Sequence, residues 1–104
     1  MRFPFSDLAT TKLRPALVLA IHGEDVIVIG IFSRLPAGVL PKTWVRVEER
    51  HAAFARTGLK KTSVLKTEKI AVVHRSVFHR KLGTLPPDLM AQGQTALKRA
   101  LLLP

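Results

Sequence analysis

Two apolar runs dominate the first third of the chain, Ala16-Leu17-Val18-Leu19-Ala20-Ile21 and Val26-Ile27-Val28-Ile29-Gly30-Ile31-Phe32, parted by the polar quartet His22-Gly23-Glu24-Asp25. Each is too short for a typical helix, and the quartet has the chemistry of a turn, so the pair predicts a β-hairpin. Neither run alternates polar with apolar residues. Both faces should therefore be covered, which sets the hairpin centrally in a sheet or barrel. Upstream, residues 1–14 carry Pro4, Ser6-Asp7 and Ala9-Thr10-Thr11-Lys12 and read as a short extended piece followed by a loop.

Downstream, Pro36, Gly38 and Pro41 make 33–42 a loop leading to a candidate strand, Thr43-Trp44-Val45-Arg46-Val47. The charged stretch from Glu48 to Lys61 allows a helical turn at 50–56. Ser63 to Val73 begins apolar, alternates through Lys66 and Glu68, and ends apolar, which predicts a strand with one wet segment and those two charges on one face. A basic segment follows, from His74-Arg75 to Arg80-Lys81, then a bend or short edge strand at Leu82-Gly83-Thr84-Leu85. After Pro86-Pro87-Asp88, the spacing of Leu89, Ala96, Leu97, Ala100 and Leu101 against Gln92, Gln94, Lys98 and Arg99 predicts an amphipathic C-terminal helix of about four turns. Strands first and a helix last give a mainly β, α+β domain spanning 1–104, a barrel plus a helix.

Composition narrows the chemistry. A chain of 104 residues, 47% of them hydrophobic, can build one modest core that a dimer interface would reinforce. Seventeen Lys and Arg against seven Asp and Glu leave a formal charge of +10, which points to a polyanionic partner such as nucleic acid or an acidic protein. With no cysteine, disulfides, thiolate catalysis, iron–sulfur sites and Cys-containing zinc sites are excluded. No apolar run approaches the ~20 residues of a membrane span, and the start lacks the apolar stretch of a secretory signal, so a cytoplasmic protein with no membrane partner is expected. His22, His51, His74 and His79 include no i, i+4 pair and no accompanying carboxylate cluster, so neither a metal nor another cofactor is expected. Nothing resembles a nucleophile elbow.

The basic residues are the stronger signal. Arg75, His79, Arg80 and Lys81 cluster, and Lys60, Lys61, Lys66 and Lys69 lie just upstream. Runs of this kind are usually solvated faces, but the total excess favours a phosphate-binding face. The aromatic residues Phe3, Phe5, Phe32, Phe54, Phe78 and Trp44 read as core no less than as stacking platforms. Pro15 merely holds Arg14 extended at the mouth of a strand.

Three segments taken together carry more. They are Phe3-Pro4-Phe5-Ser6-Asp7-Leu8 with Lys12-Leu13-Arg14-Pro15-Ala16-Leu17-Val18-Leu19, then Ser63-Val64-Leu65-Lys66-Thr67-Glu68-Lys69-Ile70, then Arg80-Lys81-Leu82-Gly83-Thr84-Leu85-Pro86. In that order and spacing the chain resembles the MazF/PemK family of bacterial toxins over nearly its whole length. The resemblance implies a small SH3-like β-barrel with a C-terminal helix, a homodimer, and a metal-independent endoribonuclease. Such an enzyme cuts single-stranded RNA to 2′,3′-cyclic phosphate ends, inhibits growth, and is silenced by a cognate acidic antitoxin that covers the cationic groove.

Residue by residue, the resemblance puts Arg14 on the scissile phosphate, Glu68 in the place of a proton-accepting acid, and Lys66 where an arginine acts as acid or charge stabiliser. Ser33, in Ile31-Phe32-Ser33-Arg34, would hydrogen-bond the phosphate. Lys12, Arg34, Lys60, Lys61, Arg75, His79 and Arg80 are the expected RNA-binding residues. The chain departs from the family pattern at Phe32, which stands where a threonine is usual, in its short first loop at 9–12, and in opening at Met1-Arg2-Phe3, which leaves out part of the usual first strand. The Phe32 departure keeps open a non-catalytic RNA- or antitoxin-binding barrel of the same fold. A gyrase-targeting toxin of similar fold matches less well, because its aromatic C-terminal tail has no counterpart in Leu101-Leu102-Leu103-Pro104.

Overall fold

The computed structural model describes residues 2–6 and 13–104. The expected hairpin is there, β2 (Leu13–His22) and β3 (Asp25–Phe32) turning at Gly23, which takes φ +62°. It sits centrally, as its unbroken apolar runs require. β1 (Arg2–Ser6) pairs with β2 on one side, and β5 (Ser63–His74) and β4 (Trp44–Val47) follow β3 on the other, in the antiparallel order β1-β2-β3-β5-β4. Among the described residues the ladder does not close between β1 and β4. The fold is a mainly β open sheet with a C-terminal helix. Residues 7–12, including Lys12 and the expected first loop at 9–12, lie outside the described residues.

The two hairpin strands bury alternate residues on opposite faces. Leu17, Ile29 and Ile31 join Val45, Val47 and Leu65 in the main core, which α2 (Pro87–Ala100) caps with Leu89 and Ala96. Ala16, Val18, Val26 and Val28 face the other way and form a smaller cluster with Val73 and Phe78. The helix begins at Pro87, whose fixed φ and missing N–H suit a first helical position. Asp88 in its first turn binds the ring of His51 at 2.8 Å, which ties the helix to the segment after β4. Leu101 falls beyond the helix end and is 48% exposed, so it adds nothing to the apolar face.

The far end of β5 departs from expectation. Its apolar character suggests cover, yet Ile70 and Val72 are exposed, as is Ile21 at the end of β2. The reason is that α2 and its core reach only the Leu65 end of the strand. The helical turn expected at 50–56 is a single turn, α1 (Phe54–Thr57), closed by Gly58 at φ +71°. Gly58 and Gly83 are needed because two backbones touch there. A Cβ on Gly83 would lie 2.1 Å from the Arg56 carbonyl oxygen, and the Thr84 N–H donates to that same oxygen at 2.9 Å. The stretch Leu82-Gly83-Thr84-Leu85 is irregular, with a single β-bridge at Gly83, and is pinned to α1.

Candidate functional site

Sheet register assembles the site. In the β3–β5 ladder Lys66 stands opposite Gly30, and in the β4–β5 ladder it stands opposite Trp44. Three residues on neighbouring strands therefore form one row, and Phe32, two positions on from Gly30, is a diagonal neighbour on the same face. Gly30 has no side chain to fill its place in the row, and the Phe32 ring occupies the space: a Cβ there would come within 2.6 Å of Phe32 Cε2. The Lys66 ammonium lies 4.5 Å from the centroid of the Phe32 ring and 4.5 Å from that of Trp44. Both distances are in cation–π range.

A bulge gives Glu68 its position. Ile29 pairs with Ile70 and the next residue, Gly30, with Lys66, so three residues of β5, 67–69, have no counterpart on β3. The buried Thr67 anchors the bulge by donating from its N–H and its Oγ1 to the Thr43 carbonyl oxygen, at 3.2 and 2.5 Å. Glu68 then meets the edge of Trp44. The indole Nε1–H donates to Oε2 at 2.6 Å, and Thr43 Oγ1 donates to Oε1 at 2.9 Å. Partial desolvation pushes the Glu68 carboxyl up. The Trp44 indole, the residue's own backbone N–H, Thr43 and the charge of Lys69 outweigh it and hold the group below the ordinary carboxylate value. Lys66 and Glu68 thus both touch Trp44, one at the ring face and one at its polar edge.

Around this row opens a cleft of about 830 Å³. Arg14, at the start of β2, lines it together with Ser33 and Arg34 from the loop after β3. Lys61, Lys66 and the two rings of Phe32 and Trp44 line it as well. Four cations and no carboxylate face the cleft among the described residues, so its field favours an anion. The Arg14 Nε is buried and has no hydrogen-bond partner among the described residues.

Of the residues expected to act on RNA, the fold gathers Arg14, Ser33, Arg34, Lys61 and Lys66 in this one cleft. Glu68 sits behind Trp44 and does not line it. Lys60 is exposed outside the lining, and Arg75, His79 and Arg80 belong to a separate hollow with Ile21, Val26 and Phe78. Proximity in sequence makes Lys61 and Arg75 look like one basic cluster, but the twelve-residue β5 runs between them. His74 is engaged with Glu24 and Ser76, at 3.2 and 2.8 Å. No group of three His, Cys, Asp or Glu that could hold a metal occurs among the described residues. Nor does any described helix have the length and apolarity to cross a membrane. The sequence leaves Phe32 and Trp44 as core no less than as stacking platforms; strand register is what places both rings in the site.

The described fold has close counterparts among solved structures. Mycobacterium tuberculosis toxin MazF-mt6 superposes with a TM-score of 0.78 at 22% identity, covering 100% of this chain and 99% of that one. An endoribonuclease in complex with its cognate antitoxin from a Mycobacterial species gives 0.75 at 22% identity, over 99% and 92%. The MazE–MazF structure from Deinococcus radiodurans gives 0.72 at 17%, over 99% and 93%. At such identities the likeness establishes the fold. A search of the curated proteins returns no match. The family model described as PemK-like, MazF-like toxin of type II toxin–antitoxin system matches residues 3–101, nearly the full length, and with the cationic cleft formed by the segments that carry its motifs, the chain belongs to that family.

Proposed function

We propose that the protein is a metal-independent endoribonuclease toxin that cleaves single-stranded RNA, acts in the cytoplasm, works as a homodimer, and is held inactive by an acidic antitoxin. The observation that carries this reading is the convergence of Arg14, Ser33, Arg34, Lys61 and Lys66 on one cleft without an acidic residue in its described lining. The two solved toxin–antitoxin complexes among the structural counterparts support the antitoxin part.

The chemistry asks little of the protein beyond charge and proton transfer. The 2′-oxygen attacks phosphorus, the bond from phosphorus to the 5′-oxygen breaks, and the 2′-hydroxyl proton leaves while the 5′-oxygen gains one. Products are a 2′,3′-cyclic phosphate and a free 5′-hydroxyl. Arg14 offers a planar pair of donors, its two terminal nitrogens, to the non-bridging oxygens. Lys66 carries positive charge to the developing phosphorane and can protonate the leaving oxygen. Ser33 hydrogen-bonds the phosphate. Glu68, at the polar edge of Trp44 and outside the cleft lining, accepts the 2′-hydroxyl proton through an intervening water: its oxygens take the Trp44 and Thr43 hydrogen bonds and keep lone-pair capacity. The donors that keep it ionised also weaken it as a base, so cleavage should be slow.

One observation favours a second reading, a non-catalytic RNA-binding barrel: the Phe32 ring lies in the cleft where the family resemblance calls for a threonine hydroxyl. One experiment separates the two. Purified protein and Arg14→Ala are incubated with single-stranded RNA in EDTA. The nuclease reading expects cleavage that falls by ~100-fold or more in the variant. Intact RNA with tight, salt-sensitive retention supports the binding module.

A further inference from the structure

A site built only for phosphate would need cations and donors, yet two aromatic rings share this cleft with them. Neither ring belongs to the main buried core; both are only half-buried. Both are also held in place. Trp44 is fixed at its polar edge by Glu68, and Phe32 lies over the space that Gly30 leaves open. The group covering them, the Lys66 ammonium, is the end of a flexible four-carbon stem.

We infer that Phe32 and Trp44 form a nucleobase-stacking subsite for a nucleotide beside the bound phosphate, and that Lys66 occupies it in the free protein. The inference rests on the nuclease reading above and gives its substrate side a second recognition element. When a phosphate enters, it offers the ammonium a charged acceptor, a stronger partner than a ring face. Lys66 turns to the phosphate and uncovers the rings. A base then stacks on faces already immobilised, with little ordering cost left to meet. Because every base has a π-face, this subsite tolerates any base; it prefers bases over a bare sugar–phosphate backbone and contributes little sequence preference of its own. The departure at Phe32 thus exchanges a hydroxyl for a stacking surface.

Trp44 is the chain's one tryptophan, so its fluorescence reports on this subsite. The probe is a mixed-sequence pool of short 2′-O-methyl RNA, which has no 2′-hydroxyl nucleophile, compared with an abasic oligomer of the same length. The base-bearing pool is expected to quench Trp44 and to bind more tightly than the abasic oligomer. Phe32→Leu should weaken binding of the pool by roughly 5- to 150-fold, the range of one lost base stack, and leave the abasic affinity unchanged. Gly30→Ala displaces the ring without touching Phe32 and should give the same selective loss, which guards against a folding defect in either variant alone. Arg14→Ala should weaken both oligomers alike. Equal affinity with and without bases, or a pool affinity indifferent to both ring variants, overturns the stacking subsite. If the wild type still cuts RNA in EDTA, the nuclease reading survives that result. If RNA stays whole, the reading beneath has failed as well.

Discussion

Replacing Glu68 by glutamine separates a reacting carboxylate from one that only supports its neighbours. Glutamine keeps the shape but has one acceptor oxygen, so of the bonds from Trp44 Nε1 and Thr43 Oγ1 at least one is lost. Because Glu68 is exposed, solvent makes good most of that loss, and the structural cost stays at or below ~1 kcal/mol. For a domain of this size that is a fall in Tm of no more than ~8 °C. Losing a general base costs far more in rate, ~10²- to 10⁴-fold, or about 3–5 kcal/mol of transition-state stabilisation. The two effects differ enough to be read in parallel, by single-turnover cleavage of mixed-sequence RNA in EDTA and by thermal melting. The sign of the pKa shift adds a check. A carboxyl lowered in the folded state stays ionised down to a lower pH, so Glu68 should impose no acid limb on the wild-type rate above the ordinary carboxylate value. The stability it contributes is present above its unfolded value and disappears as pH falls through the folded one. A glutamine variant that cuts RNA within about threefold of wild type would remove Glu68 from the chemistry and leave it only the task of holding Trp44.

Other consequences test the frame around the site. Leu65→Ala empties a fully buried position beside Lys66 and should cost about 2–5 kcal/mol in denaturant unfolding, enough to threaten the fold itself. Gly83→Ala would drive a Cβ against the Arg56 carbonyl, where no side chain can move aside, and should destabilise by at least ~1–3 kcal/mol in the same assay. The hydrogen bond from His51 leads the influences that lower the Asp88 carboxyl, so the stability it provides is present above the unfolded carboxylate value and fades as pH falls. Asp88→Asn should therefore flatten the acid side of the Tm–pH curve without changing cleavage. Arg34→Ala should reduce the slope of log affinity against log salt for single-stranded RNA by about one phosphate contact.

The legible parts of this protein were those set by local pattern. Apolar runs around His22-Gly23-Glu24-Asp25 dictate the hairpin, and Pro87 with the spacing of Leu89 and Ala96 dictates the helix, because both signals lie within a few residues of one another. Arg14 was legible through its motif. Its sharing one cleft with Lys66 was not, since that depends on how β2, β3 and β5 pair. The bulge at 67–69 is hidden for the same reason: period-two alternation puts Lys66 and Glu68 on one face, but the extra residues send one charge over two rings and the other to an indole N–H. Exposure was misjudged at Ile70 and Val72, where apolar sequence says nothing about how far the helix extends over the sheet. Phe32 and Trp44 read equally as core or as stacking platforms until register places them in the row that Lys66 centres.

In the proposed reaction a guanidinium and an ammonium in one cleft cut RNA without a metal. Mapping the fragment ends tests it most directly. RNA incubated with the protein in EDTA should carry 2′,3′-cyclic phosphate at the new 3′ ends and hydroxyl at the new 5′ ends, and both should vanish with Arg14→Ala. Cleavage that appears only after divalent metal is added, or ends bearing 5′-phosphate, would contradict the account.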